Sequence, residues 1–265
     1  AALKNKKIPL ILINARITKK SFKRWIKFKS FSESIFNKIT AAYPQNKVTK
    51  KFLNELKINK IKDLGNLKLV ENTYDKQDYI NNKLNIQFKK YKTWIAASTH
   101  TNEEVFCAKA HIELKKKNKN LITIIIPRHV HRVQDIISQI QKLNLKVVTH
   151  SSKMKTLKNV DIYIVDTFGD SQKFFKISNT VLMGKFLITK GSQNPLEAVR
   201  YGAKILHGPN FDNFTDIFKL LKSLKISKRI TSIRQLITEI TFKKDMRRGL
   251  KIKKIGVLIL KKTLK

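Results

Sequence analysis

Apolar runs and helical patterns take turns along residues 91–240, and this alternation restricts the fold more than any other feature of the chain. Residues 91–97, 121–126, 145–148, 162–165 and 180–183 are short, largely apolar runs bounded by polar loops. Runs of that kind predict strands covered on both faces. Between and after them Val133, Ile136, Ile137 and Ile140 recur at helical spacing. The same spacing returns at Phe214, Ile217, Phe218 and Leu221, and at Ile233, Leu236, Ile237 and Ile240. Each such helix offers one apolar stripe to a sheet. With a further helix over 102–117, the pattern predicts an α/β domain built on a Rossmann-like parallel sheet. No internal repeat is visible.

The first part of the chain carries fewer elements. Residues 8–13, IPLILI, predict a buried parallel strand ending at Asn14-Ala15-Arg16. A basic aromatic stretch follows, with Phe22, Trp25 and Phe28 able to share one helical face. It reads either as an amphipathic helix docking on its own domain or as a contact for a membrane surface or nucleic acid. A weak strand over 40–43, a helix over 47–56 and a strand over 61–64 make half of a doubly wound domain. The expected organisation is an incomplete first domain over 1–70, a polar connection over 71–90, a second domain over 91–242 and a basic C-terminal helix over 243–265. That last helix either returns to the first domain or faces a membrane. The chain also begins without Met shortly before a strand-like run, which leads to the expectation of a missing N-terminal part.

Charge narrows the class of partner. A formal net charge of +39 suggests an anionic partner: nucleic acid, an acidic membrane surface or a phosphorylated substrate. Yet 48 of the basic residues are Lys and 9 are Arg, and they are spread over nearly every segment. Readers of nucleic acid favour Arg for its bidentate fork, so part of the charge reflects compositional bias. The single cysteine, Cys107, excludes a disulfide framework and a Cys-based zinc site, and fits a reducing compartment. No apolar run reaches the ~18–20 residues of a membrane span, and no signal peptide is visible.

Several loops fall where parallel strands end, the usual ligand crevice of an open α/β sheet. In the first, Ser98, Thr99 and His100 precede a helix, where they suit a phosphate or sugar oxygen or serve as a plain cap. The second, PRHVHR over 127–132, offers Arg128 and His129 to a phosphate, or is a basic surface turn. The third, DTFGD over 166–170, has acids that bind a metal or form a turn. A longer unit spans 188–214. There Gly191 and Ser192 admit close backbone approach, Asn194-Pro195 suits a helix start, and Glu197 lies in its first turn. A strand over 203–206 follows and is closed by Gly208-Pro209. No dinucleotide fingerprint, P-loop or Ser-His-Asp order occurs in these loops.

Taken in order, NARI at 14–17, GNLK at 65–68, STH at 98–100 with Glu103-Glu104, PRHVHR at 127–132, DTFGD at 166–170, NPLEA at 194–198 and GPNFDNF at 208–214 resemble the 3-deoxy-D-manno-octulosonic acid (Kdo) transferases of Gram-negative bacteria. Each motif is weak alone, but seven in the family's order cover nearly the whole chain. The resemblance implies two Rossmann-like domains of the B-type glycosyltransferase fold, the first incomplete. It implies CMP-Kdo as donor and a phosphorylated lipid A precursor, lipid IVA, as acceptor. It also implies an inverting, metal-independent transfer in lipopolysaccharide core synthesis with no cofactor. By match, Ser98, Thr99, Arg128, His129, Gly169, Asn194 and Glu197 are donor-site candidates. Arg128 would offset the phosphate charge and Glu197 would hold ribose hydroxyls.

The resemblance further implies a peripheral enzyme at the cytoplasmic face of the inner membrane, in contact with an anionic membrane surface and with no specific nucleic acid. The family's general base is a Glu in an N-terminal Gly-Glu motif that this sequence lacks. No catalytic residue is therefore assigned, and the chain alone is expected to be inactive. Gly191-Ser192-Gln193 stands where the family has Gly-Gly-His, Asp170-Ser171 where it has Glu-Leu, and Lys185 where it has a further glycine. The alternative from another class is a basic protein binding nucleic acid or an anionic membrane, motivated by the charge.

Overall fold

The structure is a computed structural model and describes residues 8–70, 80–153, 156–187, 193–211 and 214–264. Gly191, Ser192, Asp212 and Asn213, and residues 71–79 of the expected connection, lie outside the described residues. The chain forms two compact units. One comprises 1–73 with 252–265 and the other 74–251.

In the first unit, β1 (Ile11–Ala15) pairs in parallel with β2 (Ala41–Pro44), with Ile11 opposite Ala41 and Leu12 opposite Ala42. The expected strand over 61–64 is a single bridge between Ile61 and Ala42. The expected helices are α1 (Lys19–Lys27) and α3 (Lys47–Glu55), and between them lies α2 (Lys29–Phe36), which no sequence signal announced. Thr18 caps α1 by accepting from the Ser21 amide, and Asn46 caps α3 by accepting from the Thr49 amide at 2.8 Å. The core is Phe22, Phe36, Ile39, Ala42, Leu53, Leu56 and Ile58. Phe22 stacks on Phe52 with centroids 4.1 Å apart, and Trp25 meets the edge of Phe36 at 5.1 Å. The docking reading of the basic aromatic stretch therefore holds for Phe22 and Trp25. It does not hold for Phe28, which is 66% exposed.

The expectation of a buried first strand is corrected. Ile11 and Ile13 are 44% and 61% exposed, whereas Leu12 and Ala15 pack on the core. Successive side chains on a strand face opposite ways, and β1 has one described neighbour strand and a core on one face only. Asn14 and Leu67, from two distant motifs, meet here. Asn14 accepts a hydrogen bond from the Leu67 amide at 3.2 Å, and Gly65 adopts φ +98°.

Among the described residues, the second unit is organised by seven parallel strands in the order β5-β6-β4-β3-β7-β8-β9. They are β3 (Lys92–Thr99), β4 (Leu121–Pro127), β5 (Val147–Thr149), β6 (Ile162–Ile164), β7 (Thr180–Met183), β8 (Lys204–His207) and β9 (Ser227–Arg229). Every residue of β4, β6 and β7 is buried, which is why these strands read as continuous apolar runs. Between and beside them lie α4 (Asn82–Phe88), α5 (Glu103–Lys117), α6 (Val133–Gln141), α7 (Ser171–Phe175), α8 (Leu196–Arg200), α9 (Thr215–Ser223) and α10 (Ile233–Glu239). The stripes expected from spacing point inward through Val133, Ile136 and Ile140, through Ile217, Phe218 and Leu221, and through Leu236. Part of the stretch expected as a connection is α4, whose Phe88 is buried.

Helix α5 is pinned by polar groups as well as by Cys107, Ala108, Ala110 and Leu114. His111 is fully buried, shares a hydrogen bond with Thr123 at 2.9 Å and lies 3.4 Å from Asp161. Asp161 also pairs with Lys115 and accepts from the Lys146 amide at 2.8 Å. Burial works against its charge, yet these partners hold its pKa well below the usual carboxylate range. The final helix, α11 (Arg247–Thr263), contributes 252–263 to the first unit, where a Cβ on Gly256 would meet the Leu69 carbonyl oxygen at 2.4 Å. No helix of the described residues is long and apolar enough to cross a membrane.

Candidate functional site

The sheet of the second unit reverses direction of growth between β3 and β7. The chain builds β4, β5 and β6 on one side of β3, then crosses to β7 on the other. In open α/β sheets the crevice at such a switch, outside the carboxyl ends of the strands, is where ligands bind. Here the loops after β3, β4 and β7 are joined through their backbones. The Gly184 amide donates to the Ala97 carbonyl at 2.7 Å and the Arg128 amide to the Thr99 carbonyl at 3.0 Å. Ser98 and Lys185 both adopt left-handed backbone, with φ 56° and 68°.

Two consecutive glutamates at the start of α5 complete the joint. Glu103 is fully buried and accepts from the amides of His100, Lys185 and Leu187, at 2.9, 3.0 and 3.0 Å. Burial raises its pKa, and the amides act against that rise. Glu104 is also fully buried and accepts the Thr99 hydroxyl at 2.9 Å. It binds the Arg132 guanidinium through two bonds of 3.0 and 3.2 Å. This is the fork-on-carboxylate geometry that makes such pairs strong.

Above this base stand imidazoles. His129 lies edge-on to His100 at 5.8 Å and tilted to His131 at 5.5 Å. Arg128, His129 and His131 are exposed. Burial, and then the positive charges of Lys185 and its neighbours, push the pKa of His100 down to about 4.

The β6 loop lies beside β4. Gly169 has φ +84° and open space where a Cβ would be, and Phe168 is 86% exposed. The loop's acids are already engaged. Asp166 accepts from the Ser151 amide at 2.8 Å, and Asp170 pairs with Lys173 at 2.7 Å and with Thr167. Asp170 thus acts as a turn partner, one of the two readings open from sequence, whereas Asp166 ties its loop to the one after β5. A cleft of about 670 Å³ opens next to them, lined in part by Leu84, His150, Tyr163 and Thr167.

Asn194 accepts from the Leu196 amide at 3.2 Å, but the cap position falls on Pro195, so α8 begins one residue later than the sequence suggested. Glu197 is half-buried in its first turn. Gly208, after β8, lets the chain pass Phe186, whose Cα would lie 2.5 Å from an added Cβ.

Of the seven donor-site candidates, Ser98, Thr99, Arg128 and His129 are thus brought together at the switch. Gly169 lies on the neighbouring loop, and Asn194 and Glu197 follow in the chain from the β7 loop. Thr99 is fully buried with its hydroxyl donated to Glu104. Sequence reasoning gave no role to Glu103, Glu104, Arg132 or Lys185, although the first three stood inside quoted motifs. Two adjacent acids were a usable signal in a chain with 57 basic and 18 acidic residues.

Comparison with known proteins agrees with the resemblance. Residues 1–71 match the family model of 3-deoxy-D-manno-octulosonic-acid transferase (kdotransferase). The chain is 31% identical over 244 residues to the 3-deoxy-D-manno-octulosonic acid transferase of Rickettsia felis, covering 92% of this chain and 52% of that protein. It is 28% identical over 217 residues to the Haemophilus influenzae enzyme of the same name, covering 81% of this chain and 51% of that protein. It therefore spans about half the length of these curated relatives.

Among solved structures, the C-terminal CMP-Kdo binding domain of WaaA from Acinetobacter baumannii aligns with TM-score 0.55 at 19% identity, over 67% of this chain and 92% of that one. Anabaena HepE in complex with UDP aligns with TM-score 0.55 at 11% identity, over 99% of this chain and 73% of that one. These neighbours share the B-type glycosyltransferase fold. By sequence the chain is thus similar to Kdo transferases, of whose length it spans about half.

Proposed function

We propose that this chain supplies the donor side of a Kdo transferase, holding CMP-Kdo in the crevice at the carboxyl ends of β3, β4 and β7 for transfer to a lipid A precursor, lipid IVA. The observation that carries the reading is the meeting of Ser98, Arg128 and His129 at the topological switch, on loops tied by the Gly184 and Arg128 amides. Arg128 is an exposed cation on a backbone fixed at 3.0 Å to β3. In the proposed transfer the acceptor hydroxyl gives its proton to a general base outside the donor-site residues, and its oxygen bonds to the anomeric carbon of Kdo. The bond from that carbon to the CMP phosphate oxygen breaks, with inversion and without a metal. Arg128 offsets the charge that CMP gains as it leaves, while Glu197 accepts hydrogen bonds from ribose hydroxyls and the open backbone at Gly169 admits the nucleotide.

A phosphorylated lipid acceptor requires an enzyme that works at an anionic membrane surface. The α1–α2 corner suits one. Ile26, Phe28 and Phe31 are 47%, 66% and 61% exposed, amid the exposed Lys19, Lys20, Lys23, Arg24, Lys27 and Lys29. Aromatic side chains ringed by cations favour the interface of acidic lipid.

Calorimetry with CMP and CMP-Kdo tests the donor site. Binding that weakens at least about tenfold in Arg128→Ala and in Glu197→Ala supports it. A wild-type chain that binds neither compound, or variants that bind as the wild type does, would reject it.

A further inference from the structure

Glu103 and Glu104 are too deeply buried to touch a ligand in the crevice, yet they are costly to keep. An ionised carboxylate withdrawn from water is tolerated only when hydrogen bonds replace the lost hydration. Both carboxylates have three such bonds. A carboxylate serving only its own helix would bind the first-turn amides. These two reach instead across 82 and 84 residues to Lys185 and Leu187, and across 28 residues to Arg132. Their partners sit on the three loops that meet at the switch, those after β3, β4 and β7.

We propose that Glu103 and Glu104 are positioning residues that set the shape and charge of the donor crevice, an inference that rests on the donor-site reading above. Glu103 holds the β7 loop against the end of β3. The backbone amides of Lys185 and Leu187 are thereby turned inward to a fixed anion. Glu104 acts on the other side. By engaging both terminal nitrogens of Arg132 it anchors the turn of residues 130–132 and neutralises that guanidinium. Arg128, four residues earlier on the same loop, is left exposed to face an incoming phosphate. The Thr99 hydroxyl, spent on the same carboxylate, fixes the strand end from which the Arg128 amide hangs.

The two residues make separable predictions. In Glu103→Gln the amide NH2 must face a backbone N–H, so one of the loop contacts is lost. In Glu104→Gln the Arg132 fork loses its charged partner and half of its bidentate contact.

The test uses the full chain and CMP as probe, with folding checked by circular dichroism. The expected result is that each variant folds and binds CMP at least about tenfold more weakly. Hydrogen exchange at the Lys185 and Leu187 amides should quicken in Glu103→Gln and stay near wild type in Glu104→Gln. A double-mutant cycle supplies the readout that a merely structural role would not move. If Glu104 works by presenting Arg128, the loss caused by Arg128→Ala should shrink about threefold or more in the Glu104→Gln background.

Additive losses, or variants that bind CMP as the wild type does, overturn the proposal while leaving the donor site standing. If Glu104→Gln does not fold, the cycle is run with Arg132→Gln, which frees the same loop and must show the same coupling. A wild-type chain that binds no CMP overturns the donor-site reading and this proposal together.

Discussion

Gly184 passes so close to Ser98 that a Cβ on the glycine would stand 1.9 Å from the serine carbonyl oxygen. The two residues belong to loops that follow different strands, and the contact is backbone on backbone. Nothing flexible is available to yield. Gly184→Ala should therefore cost at least the ~1–3 kcal/mol typical of overpacking, and should also weaken CMP binding by prising the β7 loop from β3. Urea unfolding and calorimetry on the same sample check both effects. Unchanged stability would contradict the geometry.

Lys185, the next residue, holds φ 68° without being a glycine. A left-handed conformation costs an L-residue about 1–2 kcal/mol, part of which a glycine gives back through its larger entropy in the unfolded chain. Lys185→Gly is expected to raise stability by up to ~1 kcal/mol, read as a higher urea midpoint at constant slope. The backbone amide that serves Glu103 remains. Because the Lys185 charge helps to depress His100, the same variant should raise the His100 pKa above its value of about 4, which imidazole resonances would report.

Acid should destabilise the chain in two stages. The His100 pKa falls from 6.5 to about 4 on folding, so the unfolded chain binds a proton there more readily. Stability from the neutral imidazole is full above about 6.5 and is lost as pH falls toward 4. Asp161 is also depressed, from its usual 3.8, so its contribution persists above that value and is lost only at lower pH. Stability measured against pH should drop first between about 6.5 and 4 and again below 3.8. His100→Gln should shrink the first stage, leaving the part that the likewise depressed His207 contributes, and Asp161→Asn should shrink the second. A first stage unchanged in His100→Gln would assign it to His207 or another group.

Replacing Phe28 and Phe31 together by Ser should leave folding intact, because both side chains are exposed. Binding to vesicles containing acidic lipid should fall at least about tenfold, with little change in salt dependence, since the surrounding lysines remain. Flotation assays at two ionic strengths check this. If the double variant floats like the wild type, charge spread over the whole chain is responsible, and the corner has no special role.

Much of the second unit was readable ahead of the structure because its strands are buried on both faces and its helices on one. Burial of that kind writes itself into spacing, as at Ile136 and Ile140. Where an element is half-solvated the writing fades. Strand β9, Ser-Lys-Arg, sits at the sheet edge with Lys228 and Arg229 exposed, and carries no apolar signal. Strand β1 shows the converse. Its apolar run suggested full burial, but the run records only hydrophobicity and not which faces are covered.

The candidate site divides in the same way. Arg128, His129 and Asn194 could be singled out because loops after strands and helix starts have local chemistry. Glu103, Glu104 and Arg132 owe their roles to partners 28 to 84 residues away, and no local spacing announces such a partner. Thr99 looked like a ligand-facing hydroxyl for the same reason. Its sequence neighbours are polar, whereas its spatial neighbour is a buried carboxylate.

Cys107 lies one turn along α5 from Glu103 and Glu104, fully buried, with its thiol pushed well above the usual range by burial and then by those two carboxylates. It is also the single sulfhydryl of the chain. A thiol reagent can reach it only while α5 lifts from the sheet, and the thiolate that reacts forms only in that opened state. The molecule thus carries its own clock. The rate at which Cys107 is labelled measures how often the base of the crevice comes apart, and any ligand that binds the closed crevice should slow that clock in proportion to its occupancy.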